Sequence, residues 1–166
     1  MTLVPIALAV VGVALFWPRA APPLERADLE ADAAFALQMP GANDLGHFGG
    51  DRRFKLGGDF EEQPFAGHTY GTTAASAEVY SYYEVELARL GWLRESPFYS
   101  GSSTDLDGRL YCKKGLGFRL AIKNKETAFQ VAFYRGRTYT TVFEASLHPN
   151  DPKSACPRTP RLTTRP

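Results

Sequence analysis

Three patterns of apolar and polar positions run along the chain, and each predicts a different kind of element. Leu3 to Trp17 (LVPIALAVVGVALFW) carries no charged or strongly polar side chain, and Pro18-Arg19 ends the run. As a helix it covers about 22 Å at about 1.5 Å per residue, somewhat less than a hydrocarbon core of ~30 Å. With Thr2 and Pro18 it reaches the lower limit of a spanning segment, so residues 2–18 are expected to form a transmembrane anchor. A cleaved signal peptide competes with that reading. The start lacks a charged n-region, however, and the best cleavage site, after Ala21, has Arg19 where a small residue belongs. A buried helix of a soluble protein is the third reading.

The second pattern has the helical period. Val79, Tyr83, Leu87 and Leu90 recur at i, i+4, i+8 and i+11, one face of an α-helix over residues 73–90. Thr72 or Thr73 is the expected N-cap, its hydroxyl accepting an orphan amide proton of the first turn. Gly91 is expected at C′, where a left-handed backbone costs glycine nothing, with Trp92 following at C″ in a Schellman stop.

The third pattern has period two. Phe65–Thr72, Trp92–Tyr99, Arg109–Lys114 and Leu116–Lys123 read as strands. So do a segment with Phe129, Val131 and Phe133, and one running from Tyr139 to Leu147. Ser100–Gly108, Asn124–Glu126 and Arg135-Gly136-Arg137 read as the turns between them. Short connections force antiparallel pairing. The expected fold is therefore α+β: an N-terminal transmembrane helix, then a two-layer domain with one main helix on an antiparallel sheet of four to six strands.

Around these elements, Arg19–Ala36 (Pro, Ala and charge) is expected to be a spacer that includes a short helix between Leu24 and Phe35. Met39–Asp44 carries turn chemistry, and glycine-rich Gly46–Gly67 reads as loop with short strands such as Arg53–Leu56. From Pro149 the Pro-rich, basic sequence is expected to be a disordered tail. The expected units are 2–18 anchor, 19–36 spacer, 37–148 soluble domain and 149–166 tail.

Composition narrows the function. Hydrophobic residues make up 44% of the chain, enough to form a core. Lys and Arg total 19 against 18 Asp and Glu, so the basic footprint of a nucleic-acid binder is missing. Arg19 and Arg26 follow the apolar run with nothing basic before it, which by the positive-inside rule favours a cytoplasmic body. A signal-like start sends the body outward, and an extracytoplasmic soluble part is the expectation adopted. In an oxidising compartment Cys112 and Cys156, too far apart for a CxxC motif, are candidates for one disulfide.

Candidate chemistry is sparse. No two of His47, His68 and His148 stand at metal-ligand spacing, although distant ligands can still converge in a fold. Asp105-Leu106-Asp107-Gly108 echoes a calcium loop, but Ser103 is a weak ligand and the residues after Gly108, RLYCKK, supply no glutamate, so a turn is expected. The glycines of 46–58 lack the Lys-Ser/Thr of a phosphate loop. Glu84 and Glu86, at i and i+2 of the helix, point apart and read as solvated surface. Tyr80, Tyr82 and Tyr83 read as core. No cofactor is implied.

Tyr83-x-x-x-Leu87-x-x-x-Gly91-Trp92, preceded by Met39-Pro40-Gly41-Ala42, resembles a group of uncharacterised bacterial membrane-anchored and secreted proteins. In those, a helix ending in Gly-Trp packs on a small antiparallel sheet behind an N-terminal anchor. The likeness spans about residues 39–134, implies architecture alone and transfers no functional residue.

The expected function is a non-enzymatic, single-pass membrane domain of the cell envelope that binds or scaffolds, with a protein partner at a sheet edge. The alternative is a small enzyme or ligand-binding protein whose site is assembled from His68, Tyr70, Asp105 and His148.

Overall fold

A computed structural model describes residues 24–51, 53–54, 61–98 and 105–149 of this chain. Helix α1 (Arg26–Glu30) leads into strand β1 (Asn43–Gly50), the short β2 (Arg53–Phe54) and β3 (Glu61–Glu62), and β4 (Phe65–Thr72). Helix α2 (Ser76–Arg89) follows, then β5 (Leu93–Phe98), β6 (Asp105–Lys113), β7 (Leu116–Lys123), α3 (Lys125–Arg135) and β8 (Thr141–Pro149). Six strands form one open antiparallel sheet in the order β1-β4-β8-β7-β6-β5, and β2 pairs with β3 separately. The fold is α+β, as the alternating patterns predict.

Helix α2 ends as its sequence demands. Gly91 adopts φ 80°, the Trp92 amide donates to Leu87 O at 2.9 Å, and the Gly91 amide donates to Ala88 O at 3.0 Å. These are the two bonds of a Schellman stop. Its start differs from expectation. The N-cap is Ala75, whose amide donates to the Glu78 carboxylate at 2.7 Å. Thr72 Oγ1 instead accepts from the Ala74 amide at 3.1 Å, which turns the chain out of β4 before the helix begins.

Cross-strand register sorts the sheet into two faces. Tyr111↔Phe118↔Leu147, Arg109↔Leu120↔Ala145 and Ile122↔Phe143 share the face under α2. There the buried Tyr83 ring sits 5.8 Å from Phe118 and 5.7 Å from Phe143. Of the helical face foreseen from Val79, Tyr83, Leu87 and Leu90, the first three are fully buried and Tyr80 joins them, whereas Leu90, at the C-cap, is partly buried against the core. Cys112↔Gly117↔His148 and Leu110↔Arg119↔Ser146 share the opposite face.

Five expectations are corrected. Phe129, Val131 and Phe133 lie in helix α3, not in a strand, and Asn124 begins that helix: its side-chain oxygen accepts the Thr127 amide at 2.9 Å. Gly136, at φ 62°, follows the helix where a hairpin was expected. Asn43–Gly50, read as turn and loop, is an eight-residue strand. Asp105-Leu106-Asp107-Gly108, read as a turn, lies inside β6, with a register shift between Asp105 and Asp107. Finally, the described part of the expected spacer belongs to the domain. Leu29 and Ala34 are buried in the main core, with Phe35, Leu37 and Met39 packed against it.

The C-terminal boundary also moves by one residue, because Pro149 pairs with Leu116 at the end of β8. The expected anchor (2–18) and the tail beyond Pro149, with Cys156, lie outside the described residues. Among the described residues no helix is long and apolar enough to cross a membrane.

Candidate functional site

The densest gathering of chemistry lies where β1 pairs with β4. His47 and His68 are direct cross-strand partners, so both side chains project from the same face. Their rings stack at 5.0 Å between centroids, 21° from parallel. Tyr70, two residues along β4, stacks on the other side of His68 at 5.6 Å. Phe35, from the segment after α1, closes over the pair at 4.7 Å from His68 and 5.5 Å from His47.

Each histidine has its own carboxylate. His68 Nδ1 lies 2.9 Å from Asp44 Oδ2. With Nδ1–H donating to that oxygen, Nε2 is left as a proton acceptor, the orientation a general base needs. His47 Nε2 lies 3.2 Å from both Arg26 Nη2 and Glu30 Oε1, and Arg26 Nε donates to Glu30 Oε1 at 2.6 Å. That guanidinium holds the Glu30 carboxyl below the usual carboxylate range. Helix α1 thus brings a cation and an anion to a histidine on the edge strand. Burial pushes the Tyr70 hydroxyl up to about 12, with the Asp44 charge adding to the effect, so Tyr70 stays protonated at neutral pH.

Of the four residues named for an assembled site, His68 and Tyr70 come together, placed by adjacent same-face positions on one strand. Asp105 begins β6 opposite Lys123, and His148 lies on β8, on the other face of the sheet. The residues sequence reasoning missed are His47, Asp44, Arg26 and Glu30. The histidines are 21 positions apart, and only the β1–β4 register brings them together. Among the described residues no three His, Cys, Asp or Glu side chains are grouped to hold a metal ion.

A second polar cluster joins α2 to the far edge of the sheet. The Glu84 carboxylate accepts from Arg109 Nη1 at 2.9 Å and from Arg94 Nη1 at 3.2 Å, and the Arg109 guanidinium carbon stands 3.9 Å above the Tyr80 ring. Glu84, expected as plain solvated surface, instead pins the helix to β5 and β6. This arrangement is structural: one carboxylate bridging two guanidiniums leaves no free nucleophile or base.

Compared with protein-family models, with curated proteins and with solved structures, the chain matches none.

Proposed function

We propose that the chain is a single-pass membrane protein of the bacterial cell envelope whose soluble part, on the extracytoplasmic side, binds a protein partner at a sheet edge. The observation that carries this reading is the uncharged Leu3–Trp17 run placed directly before a folded α+β body. The open sheet supports it, because an open antiparallel sheet offers backbone donors and acceptors along its two outer strands. Those strands are β1 and β5. β5 carries Pro97 and a register shift between Arg94 and Pro97, both of which interrupt strand addition. β1 has a register shift too, between Asp44 and Gly46, but it is longer and free of proline, which makes it the favoured dock.

The test is fractionation of cells expressing the full chain, with a photo-crosslinking residue at Asp51, just past β1, or at Arg94 on β5. The proposal expects the protein in the detergent-soluble membrane fraction and crosslinks mainly from position 51. Recovery in the high-speed supernatant, or a mature N-terminus near Ala20, would end the anchored reading.

A second reading, a small enzyme or ligand-binding protein, is favoured by one observation: the stacked His47–His68 pair with Asp44 and Glu30. It predicts that small polar ligands shift the imidazole proton resonances of His47 and His68 and leave that of His148 in place. Absence of such shifts across a broad metabolite set argues for the binding-domain reading.

A further inference from the structure

Resting on the edge-docking reading above, we propose that the partner taken by β1 is a second copy of this chain, paired antiparallel through Gly46–Gly50 with Phe48 opposite Phe48. The usable edge is short. At the start of β1 the Leu45 carbonyl already accepts from Arg135 Nη2, and Asn43 Oδ1 accepts from Arg137 Nη1 at 2.7 Å. The register shift between Asp44 and Gly46 also ends regular pairing there. Strand addition is left with Gly46-His47-Phe48-Gly49-Gly50. That stretch has a glycine two residues to either side of Phe48, and a two-fold interface has to be self-complementary. Centred on Phe48, antiparallel pairing sets Gly46 against Gly50 of the second copy and His47 against its Gly49, with each pair on one face.

Shape fits this register on both faces. Gly46, Phe48 and Gly50 lie on the face away from α2, opposite Thr69, Gly67 and Phe65 of β4. The Phe65 ring, 43% exposed, stands 6.4 Å from that of Phe48 and lies across Gly50, where a Cβ would come within 2.7 Å of it. Over Gly46 the ground is open, with nothing within 4 Å of a Cβ placed there. Pairing brings that open ground beside the Phe65 ring that overhangs Gly50 of the second copy, and the reverse holds across the two-fold. Two phenyl rings from each copy then cover one another and leave water. On the α1 face His47 meets Gly49, whose side-chain space its own Arg26 fills.

Charge supports the same direction. Arg135 and Arg137, both exposed, are held at the N-terminal end of β1, and exposed Asp51 follows its C-terminal end. The edge therefore carries cations at one end and an anion at the other. Antiparallel pairing lays the arginines of each copy beside Asp51 of the other, whereas parallel addition would set like ends together.

The full chain in detergent is prepared in isotopically light and heavy form, mixed, and photo-crosslinked from position 51. Light-to-heavy links from that position into β1 or the Arg135–Arg137 segment are expected. Phe48→Lys and Phe48→Glu each set like charges opposite one another at the two-fold, and each is expected to weaken dimerisation in sedimentation roughly 100-fold. Mixed in equal amounts, the two variants are expected to dimerise again, because opposite charges then meet. Asp51→Arg, on the surface, is expected to weaken dimerisation roughly 5-fold, and it decides the matter if the Phe48 variants fail to fold. No recovery in a mixture of folded variants, or dimers indifferent to all three changes, would overturn the self-pairing. A monomeric wild type whose position 51 crosslinks a different envelope protein overturns the second copy and keeps the β1 dock. One that crosslinks nothing overturns both.

Discussion

The His148 imidazole occupies the space where Gly117 would carry a side chain. The two are cross-strand partners on β8 and β7, and a Cβ built on Gly117 runs into the ring. The ring also lies 3.1 Å, through Nδ1, from Pro149 O, which fixes it over the glycine. Gly117→Ala should therefore destabilise the domain by about 1–3 kcal/mol through overpacking. Chemical denaturation of the single and double variants checks this. In combination with His148→Ala the alanine should cost clearly less, because the ring it strikes is gone. Equal costs in both backgrounds would remove the steric account.

Half-buried under that contact, His148 is also a source of acid sensitivity. Desolvation lowers its affinity for a proton below the ordinary value of 6.5, with the Pro149 carbonyl opposing and the Arg119 charge reinforcing the effect. Above about pH 6.5 both folded and unfolded chains hold it neutral. As pH falls below that, the unfolded chain takes up the proton first, so stability declines until the folded protein is protonated too. Urea midpoints measured from about pH 7.5 down to about pH 5 should fall in wild type. They should fall less steeply in His148→Gln. A steeper decline in the variant contradicts the assignment.

Leu29 tests where the domain begins. It lies in five-residue α1, too short to persist alone, and its side chain is fully buried in the main core. Leu29→Ala should cost about 2–5 kcal/mol, the range for truncating a buried leucine. The same change at Leu24, which is 40% exposed, should stay within about 0.5 kcal/mol. Thermal melts of the two variants side by side separate a docked segment from a spacer, since a spacer would leave both unaffected.

Glu84 offers a smaller, salt-dependent effect. Its carboxylate and the Arg94 guanidinium are each 44% exposed, and that of Arg109 23%. Solvent screening therefore limits the network to about 1 kcal/mol. A double-mutant cycle of Glu84→Gln with Arg109→Gln should give a coupling of that order in low salt, shrinking as salt is raised. Zero coupling in low salt would make the pair incidental.

These residues also show which parts of the fold were legible beforehand. Helix α2 announced itself because its core positions follow one period and Gly91 ends it. Strands β7 and β8 were legible because Leu116, Phe118, Leu120 and Ile122, and Phe143, Ala145 and Leu147, fall at alternate positions on the face under α2. Helix α3 was misread because Phe129, Val131 and Phe133, taken alone, alternate as a strand does. The deciding signal was local: Asn124 before Lys125-Glu126-Thr127, a good N-cap ahead of polar first-turn residues. β1 was missed because Gly46, Gly49 and Gly50 weaken strand propensity, and pairing with β4 overrides it. The histidine pair left no trace at all, since its proximity depends on a register set by the whole sheet.

The tyrosines give the alkaline counterpart of the His148 effect. Burial raises Tyr83 well above its ordinary value of 10.0, and Tyr70 to about 12. Below about pH 10 both folded and unfolded chains keep these phenols protonated. As pH rises past that point the unfolded chain loses its protons first, so the stability tied to these groups drains away toward higher pH. Urea midpoints from about pH 9 to about pH 11 should drop in wild type and drop less in Tyr83→Phe. That variant also loses the 3.1 Å bond its hydroxyl donates to Leu37 O, so its midpoint at neutral pH should be lower by about 1 kcal/mol in stability. The two effects have opposite signs at the two ends of the pH range, so the wild-type and Tyr83→Phe stability curves should converge, and can cross, under alkali. Parallel curves would mean that Tyr83 ionises as freely in the folded protein as in the unfolded chain.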